Sequence, residues 1–119
     1  MRAFLVIVAA LLCALSRIPA AHAHAFLDHA SPLVGSTVQS APREVSLTFT
    51  QNLEPSFSSV EVTDAKGGRV DAGKPQISGN SMRVALKPIG PGSYRVRWHV
   101  LSVDTHRTEG SFSFHVGNP

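Results

Sequence analysis

The stretch Tyr94–Val100, with the sequence YRVRWHV, alternates apolar and polar residues over seven positions. A period of two is typical of a β-strand that buries one face and exposes the other. The same alternation occurs in Val45–Phe49 and in Phe112–Val116. No segment of the chain beyond residue 24 has a helical period. The sequence therefore predicts an all-β domain.

Shorter strand candidates appear at Ala25–His29, Ser58–Thr63 and Met82–Lys87. The segments between strands, such as Asp64–Gly68 and Ile89–Gly92, are rich in residues that favour turns. Strands and turns at this spacing are typical of an antiparallel β-sandwich of immunoglobulin-like size. We therefore expect one such sandwich, without internal repeats or an interdomain linker.

The first part of the chain has the pattern of an export signal, which we assign to residues 1–23. An apolar run over Ala3–Leu15 is followed by the small-x-small triplet Ala21–Ala23, as signal peptidase requires. The run is shorter than the roughly 20 residues of a transmembrane helix. Cleavage after this triplet leaves His24 as the first residue of a mature domain, residues 24–119, in the periplasm.

Charge and cysteine content exclude several classes of function. The chain has 11 basic and 8 acidic residues. Two of the basic residues lie in the signal, so the mature domain is nearly neutral and lacks the basic surface that nucleic-acid binding needs. The single cysteine, Cys13, also lies in the signal. The mature domain therefore has neither a disulfide nor a thiolate ligand.

The strongest candidate for chemistry is a metal site that joins the two ends of the domain. A free N-terminal His24 offers two nitrogens, its α-amine and Nδ1. If the strand period persists, Asp104 and His106 point to the same side, with Cβ atoms about 6 to 7 Å apart. Together these groups form an N₃O set that suits Cu(II), although zinc would accept it as well. Each feature has an ordinary alternative, because a signal can end at any residue and Asp-x-His often lies in a solvated loop.

The remaining histidines have weaker claims to bind metal. His99 and His115 occupy the polar positions of alternating strands, which predicts exposed surface residues. His29 lies in the first strand candidate and is expected at most near the site. Cu(I) prefers sulfur ligands, and Met82 is the only methionine of the mature chain. A separate Cu(I) site is therefore not expected.

Over nearly the whole mature length, the chain resembles the CopC family of periplasmic copper-binding proteins. The resemblance rests on five segments of the sequence: His24–Pro32, Ala41–Phe49, Tyr94–Trp98, Ser102–His106 and Gly110–Phe114.

The resemblance implies a fold, a site and a role. The fold is a Greek-key sandwich of about seven strands, and the site is one Cu(II) ion held by the processed His24, Asp104 and His106. The role is that of a copper carrier or reservoir beside an inner-membrane CopD-like transporter. We expect a monomer that is not an enzyme.

The chain departs from the family pattern at three points. Thr105 stands where members often have glycine, which could stiffen the ligand turn. Gln51 stands where some members have a glutamate that acts as a weaker ligand. The chain also lacks the methionine-rich loop of members with a Cu(I) site, so it resembles the Cu(II)-only type.

Two other functions fit parts of the sequence. A histidine-brace copper oxidase also uses a terminal histidine chelate with a second imidazole, but a coordinating Asp104 would occupy a position that O₂ needs. An immunoglobulin-like structural module would bind no metal at all. A copper titration distinguishes the module from both copper proteins, and reactivity with a reductant distinguishes the oxidase from the carrier.

Overall fold

The computed structural model describes residues 25–117, and the export signal, His24 and the boundary between them lie outside these residues. The described part of the chain contains eight strands and one short 3₁₀ helix. In chain order these elements are β1 (Leu27–Ser31), β2 (Thr37–Val38), β3 (Glu44–Phe49), the 3₁₀ helix (Pro55–Phe57), β4 (Ser59–Asp64), β5 (Asp71–Ser78), β6 (Ser81–Leu86), β7 (Gly92–Leu101) and β8 (Arg107–Val116).

The strands form two four-stranded sheets, with the orders β1-β3-β6-β5 and β2-β8-β7-β4. Neighbouring strands are antiparallel except for β2, which runs parallel to β8. The prediction of an all-β sandwich is confirmed. The described residues hold eight strands, against about seven implied by the family resemblance and six candidates in the sequence, which did not include the two-residue β2. Strand β5 also went unrecognised, since it lies at the edge of its sheet and no residue of it is fully buried.

The core lies between the facing sides of the two sheets and is built from the alternating apolar positions. Phe49 and Trp98 meet edge to face with ring centroids 6.0 Å apart, and Tyr94 stacks on Phe114 at 5.4 Å. Burial of this apolar surface is the main favourable term in folding. Gly110 leaves room for the Trp98 ring, because a Cβ atom at this position would lie 2.7 Å from Trp98 Cη2.

The connection between β7 and β8, residues 102–106, lies at one end of the sandwich. The two strands pair without interruption from Gly92↔Val116 to Leu101↔Arg107, so the loop that joins them is held at a fixed place. Within residues 25–117, no helix has the length and apolar character needed to cross a lipid bilayer.

Candidate metal centre

The loop of residues 102–106 is a tight turn and not the continuation of a strand. Strand β7 ends at Leu101, and Thr105 has a φ of 72°, in the left-handed region that β-branched residues seldom occupy. The Ser102 amide donates to the His106 carbonyl at 3.0 Å, and the Thr105 amide donates to the Ser102 carbonyl at 2.9 Å. The expectation that a strand period carries Asp104 and His106 to one side is therefore wrong, because the turn positions them instead.

The turn nevertheless brings the side chains of Asp104 and His106 together. Asp104 Oδ1 lies 3.4 Å from His106 Nδ1, and the side chains are 32% and 48% exposed. Two atoms each bonded to one ion at about 2.0 to 2.1 Å lie about 2.9 to 3.4 Å apart, for angles between a right angle and a tetrahedral one. The pair is thus accessible and spaced as two ligands of a single metal ion.

Ser102 supports this pair of side chains through hydrogen bonds. It is completely buried, and its hydroxyl donates a hydrogen bond to Asp104 Oδ1. Ser102 Oγ also accepts a hydrogen bond from the His106 amide at 3.4 Å. The bond from Ser102 is the largest cause that lowers the pKa of Asp104 below its ordinary value, and His106 adds to it, while burial acts in the opposite direction. The carboxylate is therefore ionised at neutral pH, as a metal ligand must be.

The segment after β3 supports the turn from the other side. The Val103 amide donates to the Asn52 carbonyl at 3.0 Å, and the Glu54 amide donates to the Leu101 carbonyl at 2.8 Å. Gln51 is half-buried in this segment, directly before Asn52. Its contribution to a metal site stays a prediction.

The beginning of the described chain lies at the same end of the sandwich. Ala25 is completely buried, and its carbonyl accepts a hydrogen bond from Thr108 Oγ1 at 2.6 Å. The Phe26 amide donates to Thr50 Oγ1 at 3.0 Å. Ala25 directly follows His24 in the sequence, and Thr108 comes two residues after His106. The backbone therefore anchors the neighbour of His24 close to the β7–β8 turn.

The other described histidines are surface residues, as predicted for His99 and His115. His99 Nδ1 lies 3.0 Å from Glu109 Oε2, and His115 Nδ1 lies 2.8 Å from the Ser93 hydroxyl. His29 is 67% exposed beside Asp28. Residues 25–117 contain no group of three or more His, Cys, Asp or Glu side chains that could hold a metal ion.

Two residues at this site were missed in the sequence. Ser102 had a recognisable signal, since it follows Trp98 and Val100 at every second position and so falls on the buried face of the strand. Thr108 had none, because its partner carbonyl lies 83 residues away in the sequence.

Comparison with known proteins places the chain among copper proteins. A family model described as "CopC domain" matches residues 27–117. Copper resistance protein C of Xanthomonas campestris pv. juglandis is 41% identical over 105 residues, covering 81% of this chain and 82% of that protein. Copper transport protein CutJ of Bacillus subtilis is 34% identical over 99 residues, covering 80% of this chain but only 18% of that longer protein.

The fold is also similar to a solved structure. The crystal structure of CopC from Methylosinus trichosporium OB3b superposes with a TM-score of 0.75 at 32% sequence identity. The superposition covers 80% of this chain and 95% of that one. The similarity therefore extends over the whole sandwich and includes the end at which Asp104 and His106 meet.

Proposed function

Because the chain belongs to the CopC family, we propose that its mature form carries or stores one Cu(II) ion in the periplasm. The ligands in this proposal are the α-amine and Nδ1 of His24, the Asp104 carboxylate and the His106 imidazole. The observation that carries it is the 3.4 Å approach of Asp104 Oδ1 to His106 Nδ1. This pair lies at the end of the sandwich where Ala25, the residue after His24, is anchored.

The donor set favours the oxidised form of copper. Nitrogen and carboxylate ligands suit Cu(II) in tetragonal geometry, whereas Cu(I) prefers thiolates and thioethers. Met82 is completely buried in the core, so its sulfur is not available to an ion at the surface. Removal of residues 1–23 would also remove the only cysteine.

Carriage explains this ligand set better than oxidation chemistry does. A coordinating Asp104 carboxylate would stabilise Cu(II) and would fill a position that an oxidase leaves to O₂. We expect the copper-loaded protein to produce no peroxide above the apoprotein when ascorbate is added. Peroxide production that requires Asp104 and His106 would instead support a histidine-brace oxidase.

A membrane copper transporter is the partner that we propose for this carrier. The similarity to a small part of a protein named as a copper transport protein supports this assignment, because fused and separate domains often serve the same process. The inner-membrane CopD-like identity of the partner and the monomeric state of the carrier belong to the same proposal. Mass determination of the protein recovered from periplasm tests the compartment and the cleavage before His24.

Copper titration of two forms of the protein tests the proposed site. One form begins at His24, and the other has one N-acetylated alanine added before it, which converts the α-amine of His24 into an amide and leaves no free terminal amine to bind the ion. We expect the added alanine to weaken Cu(II) binding by a factor of about 100 or more, because it removes one arm of a chelate. Equal affinities of the two forms would refute a site at the chain end.

A further inference from the structure

We infer that Thr108 is a positioning residue, whose hydroxyl holds the chain end in register with the Asp104–His106 turn. The inference rests on the proposed function and adds to it a residue that contacts no metal. Thr108 Oγ1 donates to the Ala25 carbonyl at 2.6 Å, which is the one hydrogen bond that links the residue after His24 to strand β8 in the described contacts.

The placement of Thr108 gives this bond its importance. Thr108 lies in β8 of one sheet, whereas the chain beginning at Ala25 leads into β1 of the other sheet. In addition to the packed core between the sheets, the bond ties the start of the described chain to the sheet that contains β7 and β8. Thr108 is two residues beyond His106, so the bond forms directly beside the turn that supplies the other ligands.

Three further contacts make the anchor rigid. The Ala25 side chain is buried in the core, the Phe26 amide donates to Thr50 Oγ1, and the Thr50 amide donates to the Phe26 carbonyl at 2.9 Å. These contacts fix the chain on the side that follows Ala25. The Thr108 bond fixes the Ala25 carbonyl, which belongs to the same peptide group as the Phe26 amide and is separated from the His24–Ala25 peptide only by the Ala25 Cα.

A fixed chain end improves binding by removing an entropic cost. A terminal residue is normally mobile, and its ordering on metal binding lowers the affinity. With Ala25 already held, fewer backbone rotations have to be ordered when the ion binds. Loss of the Thr108 hydroxyl therefore weakens copper binding even though the ligands remain.

A double-mutant cycle tests this role. Thr108→Val keeps the shape of the side chain and removes the donor, and Thr108→Ser keeps the donor. Both variants are made in the protein that begins at His24 and in the protein with one N-acetylated alanine before His24. Cu(II) dissociation constants are measured by competition with a chelator, with the visible absorption band of the Cu(II) complex and thermal unfolding of the apoproteins as further readouts.

We expect Thr108→Val to raise the dissociation constant by about tenfold in the His24 form, as the loss of one hydrogen bond implies. In the alanine-extended form, Thr108→Val should change the dissociation constant by less than about twofold, because the chain end no longer contributes ligands to the ion. Thr108→Ser should restore the affinity and the absorption band. The control Ser113→Ala, on the exposed face of the same strand, should leave both unchanged.

The other outcomes separate the inference from the proposed function. If the added alanine weakens binding but Thr108→Val does not, the positioning role is refuted and the terminal site stands. If Thr108→Val weakens binding equally in both forms, the residue acts through the Asp104–His106 turn, which also refutes the inference. If the added alanine has no effect, the terminal site is refuted, and the role of Thr108 with it.

Discussion

At the scale of single residues, the site depends on a few groups that are not themselves ligands. Ser102 connects the Asp104 carboxylate to the backbone of His106, and Thr105 gives the turn its left-handed residue. If either member of a buried hydrogen bond is removed, the remaining polar group is left unsatisfied where water cannot readily replace the lost bond. The ligand turn is therefore sensitive to small changes at Ser102 and Thr105.

Ser102→Ala should lower both stability and copper affinity. The change removes the donor to Asp104 and the acceptor for the His106 amide, and we expect a loss of about 1 to 3 kcal/mol in the free energy of unfolding. Urea unfolding and Cu(II) competition measure the two effects. A variant that is as stable as the parent and binds Cu(II) with the same affinity would contradict the supporting role of this hydroxyl.

Thr105→Gly should stabilise the apoprotein. A left-handed conformation costs a non-glycine residue about 1 to 2 kcal/mol, and glycine adopts it freely, although glycine also gives the unfolded chain more freedom. We expect a net gain of about 0.5 to 1 kcal/mol in urea unfolding. Thr105→Ala retains the strain and serves as the control. If glycine is no more stabilising than alanine, the strain at residue 105 is not significant.

At the scale of strands, the two sheets are also joined at the edge formed by β4 and β5. Asp71 in β5 accepts from the Val62 amide of β4 at 2.9 Å and from Arg69 Nη2 at 2.7 Å. The Asp71 side chain is only 7% exposed. The hydrogen bond from Arg69 is the largest cause that lowers the pKa of Asp71, and burial opposes it. The ionised carboxylate thus stabilises the folded state.

This edge makes the stability of the apoprotein depend on pH. A carboxylate with a lowered folded pKa contributes stability above its unfolded value of about 3.9, and the contribution is lost as the pH falls through the folded pKa. Asp71→Asn should therefore flatten the fall in unfolding free energy below about pH 5. Asp28→Asn removes an exposed carboxylate and is the control. Equal pH profiles for the parent and Asp71→Asn would contradict this account.

Prediction from the sequence succeeded where burial imposes a pattern. Strands β3, β7 and β8 alternate because one face of each packs in the core, and the CopC resemblance deduced from such segments is confirmed by the family match. Strand β5 escaped detection because an edge strand need not alternate. The sequence did not predict the conformation of the turn at Asp104 and His106, since the left-handed φ of Thr105 leaves no mark in a residue that normally avoids it.

At the scale of the whole molecule, folding creates the proposed site from distant parts of the chain. Ala25 and Thr108 are in contact although 83 residues separate them, and the unfolded chain holds no such arrangement. An ion that binds only the folded state stabilises it by mass action. We therefore expect copper binding to stabilise the folded protein.

Cu(II) should raise the unfolding temperature of the protein that begins at His24. At a free concentration of about 100 times the dissociation constant, the expected stabilisation is about 2.7 kcal/mol. Thermal unfolding at several copper concentrations measures it. The Asp104→Asn and His106→Ala double variant should show little of this effect. A copper-dependent shift of the same size in that variant would place the ion elsewhere.

The most direct test of the central claim is a crystal structure of the processed protein with copper bound, located by its anomalous scattering. Our account predicts a single ion bonded to the amine and Nδ1 of His24, to Asp104 and to His106. An ion that lies away from the chain end, or a bound ion that lacks the terminal amine among its ligands, would contradict it.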